Sequence, residues 1–169
     1  MKLRFRDIDE NVSLIRVFAG TASDGNAVCE EFPARKIDED VYELLASPGL
    51  ALNLAKGDVI HIGSPATPVT VLKRGGNFCV QVYSDHISQD DLAWLESVLD
   101  TALQGSVDGV NAGNLAISIP ANKGFEKINL ILDDFTRRTG SAWYFANIYK
   151  NLADPEDETL LDWWIPDKE

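Results

Sequence analysis

The chain reads as an α+β protein in three parts. These are a small β-barrel or curled sheet over residues 1–75, a ferredoxin-like βαββαβ unit over 76–150, and an acidic, tryptophan-containing extension over 151–169 that folds back. Three observations lead there. The first part holds short β-branched runs broken by turn residues. The second holds two amphipathic helical stripes flanked by apolar strand patterns. The third sets Asp154, Glu156, Asp157 and Glu158 directly before "LLDWW", a run too apolar for a disordered tail.

In chain order, "SLIRVFA" (Ser13–Ala19) is the first full strand, and Asp24-Gly25-Asn26 is its turn signal. "AVCEEFPARKI" (Ala27–Ile37) is extended again; Pro33 cannot donate to a ladder, so it predicts a bulge or an edge. "VYELLASPGLALNLAKGDVIHI" (Val41–Ile62) starts as a strand and turns at Pro48-Gly49. Its "LALNLAKG" fits one helical turn across a barrel mouth, with Gly57 as a left-handed cap. Asp58 is placed to bond backbone amides at the entry to the next strand. "VTVLKR" (Val69–Arg74) completes the first part. "RGGN" (Arg74–Asn77) lacks the Lys-Ser/Thr of a phosphate loop and precedes a strand, so it reads as a flexible joint or bulge.

In the second part "NFCVQVY" is a strand with Phe78, Val80 and Val82 on one face. Ser88 and Asp91 form a capping pair for a helix whose Leu92, Leu95, Leu99, Ala102 and Leu103 make one stripe, with Val98 at its margin. "SVDGV" and "NLAISIP", separated by "NAG", read as a hairpin. A second helix over 124–139 turns Phe125, Ile128, Ile131, Leu132 and Phe135 inward and ends at Gly140. Asp133/Arg137 and Asp134/Arg138 are spaced to pair along its outer side. "SAWYFANIYK" is the closing strand. In the extension, Leu160, Leu161, Trp163, Trp164 and Ile165 are expected to cover the bare sheet face or the joint, with docking of a partner on the tryptophans as the other use.

Charge narrows the function. The net charge is −12, and seven of the 27 acidic residues lie in the last 19 positions. Such a field repels nucleic-acid phosphates and anionic lipid and attracts a basic protein; the same charge can also serve solubility alone. No stretch approaches the ~20 apolar residues of a spanning helix, and "MKLRFRDIDENVSL" has no signal-peptide core. Cys29 and Cys79 each fall inside an expected strand, as reduced thiols would in a cytoplasmic protein.

No catalytic apparatus emerges. Zinc-ligand spacings are absent and there are only two histidines, so neither a metal nor another cofactor is expected. "YSDHIS" gathers Ser84, Asp85, His86 and Ser88, but neighbours preceding a helix cap it rather than form a triad. Cys79 would pair with His61 or His86 only if the fold brought them together. One helical residue stands out: Trp94 lies about 120° from its stripe's centre, beside Asp90, Asp91 and Glu96. Leu130 points away from the second stripe in the same way.

Residues 16–83, through "RVFAG", "EEFPARKIDEDVYELLASPGLALNLAKGDVIHI" and "VLKRGGNFCVQVY", resemble an uncharacterised bacterial domain-of-unknown-function family. The likeness extends more loosely over "WYFANIY" and "LLDWW" and brings no catalytic residues. By type, small acidic α+β chains without catalytic motifs resemble the immunity proteins that bacteria pair with contact-dependent or other secreted toxins. That resemblance implies a non-enzymatic protein that binds a cognate, basic toxin domain, for instance a nuclease. The expected contact groups are Asp90, Asp91, Trp94, Glu96, Asp154, Glu156, Asp157 and Glu158. The alternative is a small-molecule or enzymatic site in the crevice between the two parts, near His61, Arg74, Asn77 and Tyr83.

Overall fold

Short β-branched runs produce two antiparallel sheets, described by a computed structural model over Lys2–Leu3 and residues 11–166. Most of "MKLRFRDIDENVSL" and the last three residues of the extension lie outside the described residues. The first sheet is a meander of β2 (Val12–Thr21), β3 (Ala27–Asp38), β4 (Val41–Leu44), β5 (Val59–His61) and β6 (Thr70–Lys73), in that order. It stays open: β2 and β6 are outer strands, and no closed barrel forms among the described residues. The face that a barrel would turn inward is filled instead. Ala51 and Leu54 of the β4–β5 connection pack with Val17, Phe32, Leu44 and Ile60, all essentially without exposure. A plug of side chains takes the place of closure.

That connection contains no helical turn. It runs as bends and turns, with Asn53 at φ 65° and Gly57 at φ 89°. Gly57 therefore has the left-handed conformation expected of it, without a helix to cap. Pro33 is buried within β3, which lies between β2 and β4 and is no edge strand. The ladder to β4 starts one residue later, at Ala34 opposite Leu44, so the missing N–H of Pro33 breaks no bond there.

From β7 (Asn77–Tyr83) the chain follows β-α-β-β-α-β order. The elements are α1 (Gln89–Val98), β8 (Ser106–Asn111), β9 (Asn114–Pro120), α2 (Phe125–Thr139) and β10 (Ala142–Phe145). The second sheet runs β1-β8-β9-β7-β10, with β1 (Lys2–Leu3) as a fifth strand that the sequence does not announce. Ser88 caps α1 by accepting the Asp91 amide at 3.1 Å. The helix ends in a widened π turn, Leu99–Leu103, closed by Gln104 in the left-handed region. Leu92, Leu95, Leu99 and Leu103 face the sheet with Ile128, Leu132 and Phe135 of α2. Each such side chain contributes about 1.5–3 kcal/mol on burial. Gly140, at φ 72°, stops α2 as its position predicts.

The other face of this sheet carries Cys79, Gln81 and Ser118, and all three are buried. What covers it is the β4–β5 connection of the first sheet, not the C-terminal extension. Gln81 Nε2 donates to Pro48 O (3.1 Å) and Ala51 O (3.0 Å). Ala55 packs on Cys79 and Ala146.

The extension returns antiparallel to residues 148–150, with Leu161 N on Ile148 O (2.8 Å) and Lys150 N on Thr159 O (2.9 Å). Trp163 and Trp164 lie 5.4 Å from Phe78, centroid to centroid, in an aromatic cluster with Phe125. Trp163 Nε1 donates to Asn147 O at 2.8 Å. The two tryptophans thus complete the helical-side core.

"RGGN" is tightly packed rather than flexible. A Cβ on Gly75 would stand 2.2 Å from Gly57 C and 2.4 Å from Gly57 Cα, both backbone atoms. Gly75→Ala is expected to destabilise the fold by about 1–3 kcal/mol, as overpacking does, measured by urea denaturation. Gly76, whose Cβ would meet nothing within 4 Å, has φ 86° and should cost less on the same change, about 1 kcal/mol. A Gly75→Ala loss no larger than that at Gly76 would show that the joint yields.

Candidate functional site

A site needs polar groups that the fold leaves over, and the joint uses most of them. Glu30, on the same face of β3 as buried Phe32 and Ala34, accepts three successive amides of the connection: Gly49 (2.7 Å), Leu50 (3.0 Å) and Ala51 (2.8 Å). A carboxylate thus sits in a nest of three successive N–H groups of a turn that has no ladder partner for them. Ser47 binds Ser118 Oγ at 2.6 Å and gives its amide to Asp108 at 2.7 Å; Ser118 donates to that same carboxylate. Asp58, fully buried, accepts Ala55 N (3.0 Å), Gly75 N (2.9 Å) and Arg74 Nη1 (3.2 Å). Burial raises the Asp58 pKa against the lowering pull of the Gly75 amide and Arg74. Arg74 also donates to Asn53 O at 2.9 Å and lies over the Trp163 ring at 5.5 Å.

The residues named for the crevice are placed as follows. Arg74 points into the joint, and Asn77 donates to Lys56 O at 2.9 Å. His61 stands exposed on β5, in register with Val41 and Thr70. Tyr83 stacks on Tyr144 (5.5 Å, 21°), and their hydroxyls meet at 2.7 Å over Gln81 Oε1. Burial, with the neighbouring phenol, holds Tyr144 above the ordinary tyrosine range. Cys79 is enclosed, its thiol against Pro48 O at 3.5 Å and pushed above the usual thiol range by burial. His86 is exposed, and its carbonyl takes the Ser84 hydroxyl at 3.1 Å. Of the four crevice residues, Arg74 and Asn77 are taken up by the joint, His61 is exposed and Tyr83 is paired with Tyr144.

The expected contact groups fall into two sets. On α1, Asp90 is exposed, Asp91 works as a capping partner, and Glu96 is half-buried. Trp94 faces α2 rather than open solvent. It stacks on Phe135 (6.3 Å, 4°), and Arg138 lies over its ring at 4.4 Å. Arg138 also pairs with Asp91 at 3.5 Å and not with Asp134, whose carboxylate meets Arg137 at 3.7 Å. The apolar side chain that does stand out is Leu130, 65% exposed.

The second set forms a built feature. Asp154 accepts the Glu156 amide (3.0 Å), and Asp157 accepts the amide (3.0 Å) and hydroxyl (2.6 Å) of Thr159. Those bonds, the Thr159 hydroxyl first, hold the Asp157 carboxyl below its ordinary pKa. This acidic turn overhangs a groove of about 370 Å³ floored by Leu52, Tyr144, Phe145, Tyr149 and Leu152. Asp154, Asp157 and Glu158 line its rim, while none of the α1 set does. Leu52, Tyr144 and Leu152 stay exposed in it. The acidic run was visible in the sequence. The floor was not, since it gathers residues from the β4–β5 connection, β10 and the extension. Among the described residues, no group of three or more His, Cys, Asp or Glu could hold a metal, and no helix is long and apolar enough to cross a membrane.

The family described as "Domain of unknown function (DUF4265)" matches residues 30–144, more than half of the chain, and the chain belongs to that family. The match starts later than the "RVFAG" resemblance and ends before "LLDWW". No curated protein matches. Among solved structures, the chain is similar to a hypothetical protein from Neisseria gonorrhoeae, with TM-score 0.56 and 17% identity over 83% of this chain and 96% of that one. At that identity the likeness concerns the fold alone.

The buried Asp58–Arg74 pair yields a pH-dependent prediction. Removing Arg74 leaves a carboxylate without its cation, a change that costs about 3–5 kcal/mol in buried pairs. The folded-state pKa of Asp58 is already raised, and losing Arg74 raises it further. Between the unfolded and folded pKa values the folded state then binds more protons, so stability falls as pH rises. The deficit of Arg74→Ala against wild type should be largest at neutral pH and shrink toward pH ~4, read by urea denaturation across pH. A deficit independent of pH would contradict the pairing.

Proposed function

We propose that this member of the DUF4265 family is a binding protein, an immunity protein that neutralises a cognate basic toxin domain by covering its cationic surface. One observation carries the reading: an acidic turn, held in shape by its own hydrogen bonds, overhangs an apolar groove on a chain of net charge −12. A toxin that handles nucleic acid needs a basic cleft, and ordered carboxylates are suited to fill it. Asp154, Glu156, Asp157 and Glu158 are the primary contact groups in this reading; Asp90, Asp91, Trp94 and Glu96 form a second, smaller acidic and aromatic patch. The ferredoxin-like βαββαβ unit supplies the rigid frame that holds the turn.

Co-expression with a basic toxin domain encoded by the adjacent upstream gene is expected to restore growth, and calorimetry of the two proteins to give a tight complex. Association should slow by about 10-fold or more on raising salt, as steered encounters do. Replacing Glu156 and Glu158 together by Lys should slow it further at low salt while leaving stability within about 0.5 kcal/mol. No complex and undiminished toxicity would refute the reading.

A further inference from the structure

The groove runs beside a sheet edge, and that edge lacks the usual protection. β10 pairs with β7 on one side only; no other strand flanks it among the described residues. Its register sets Tyr144 opposite Gln81, and the next residue pair onward, Ala146 N to Cys79 O, is hydrogen-bonded at 2.8 Å. Hydrogen-bonded pairs alternate along an antiparallel ladder. Ala142 and Tyr144 thus turn their backbone groups toward β7, as Ala146 does its N–H, while Trp143 and Phe145 turn theirs to the open side.

Natural edges are blunted by charge, proline, a bulge or extreme shortness. The other described edges follow that rule. β2 carries Arg16 and a bulge between Phe18 and Gly20, β6 ends in Lys73, and β1 has two residues. β10 reads Ala-Trp-Tyr-Phe, with neither charge, proline nor bulge. Tyr144 and Phe145 of this same strand are part of the groove floor, and the acidic turn is its rim.

We infer that β10 is a strand-addition site: an extended, Lys- or Arg-bearing segment of a partner protein pairs with the open edges of Trp143 and Phe145, places an apolar side chain in the groove, and sets its cations against Asp154, Asp157 and Glu158. Main-chain bonds supply the affinity in such augmentation and alternate side chains the selectivity. A second copy of this chain is the wrong occupant, because pairing β10 with β10 would bring two acidic rims and two charges of −12 together. From the proposed function the inference takes only the idea of a basic protein partner.

The probe is a synthetic, end-blocked heptapeptide alternating Lys and Val, titrated into the full ¹⁵N-labelled chain and compared with its Glu/Val counterpart. Amide exchange at Trp143 and Phe145 is expected to slow about 10-fold or more with the Lys peptide. The Tyr144 amide, already turned to β7, should change little, and the Glu peptide should have no effect. Trp143→Pro removes the outward N–H of residue 143 together with the ring that packs on Phe145, and should abolish the protection at Phe145. Should that variant unfold, Asp154→Lys with Glu158→Lys, which leaves the strand intact, should weaken it at least as clearly. Unprotected Trp143 and Phe145, equal protection by the Glu peptide, or protection through self-association without peptide would each overturn the inference. Growth rescue reports separately on the immunity reading: rescue with an unprotected edge defeats only the strand-addition site, and a protected edge without rescue defeats only the toxin assignment.

Discussion

Everything in this molecule hangs on a stretch of irregular backbone buried between two sheets. Residues 46–58 lie against the plugged face of the first sheet and the helix-free face of the second. Irregular backbone in that position would leave many N–H and C=O groups unsatisfied, and each would cost about 1–3 kcal/mol. The chain answers with side chains: Glu30, Ser47, Asp58, Arg74, Asn77 and Gln81 each bond to this segment or lock it in place. Gly57 and Gly75 allow the closest backbone approach at the same joint. A fully buried carboxylate, Asp58, ties the last turn of the segment at Ala55 to Arg74 and Gly75 beyond β6.

This constraint shapes what is left for function. Groups that look chemically promising in isolation are consumed by architecture. Cys79 is enclosed, Arg74 is shared among Asp58, Asn53 and Trp163, and the Ser47–Ser118–Asp108 set is a latch between the sheets. The surface keeps the carboxylates of the acidic turn and the apolar groove beside β10. The helical side is similarly closed, since Trp94, Phe135 and Arg138 stack on one another.

Local chemistry made much of the fold legible. Ser88 with Asp91 located the start of α1, Gly140 the end of α2, and the Asn-Ala-Gly turn the β8–β9 hairpin. These are short-range signals, read over three or four residues. The readings that failed needed long-range knowledge. "LALNLAKG" has helical spacing, yet its apolar residues divide between two sheets rather than facing one, and the segment stays irregular. "RGGN" has the composition of a hinge, yet its glycines are there for backbone contact with Gly57. Trp94 looked outward because its own helix gave it no partner; α2 provided one. Glu30 offered an overlooked clue, a carboxylate with the inward parity of Phe32 and Ala34.

By itself the sequence determined the α+β class, the two helices, the succession of strands after β1 and a surface field of strong negative sign, because periodicity, caps and charge are local or additive properties. Tertiary structure alone decided that the first sheet would stay open, that one loop would cover the second sheet's bare face, and that the acidic run would rim an apolar groove beside β10. The reason is that burial and hydrogen-bond satisfaction depend on which distant segments meet. The irregular chain over residues 46–58 could bury its inner residues, Ala51, Leu54 and Ala55 among them, only where side chains from both sheets converge to satisfy its backbone.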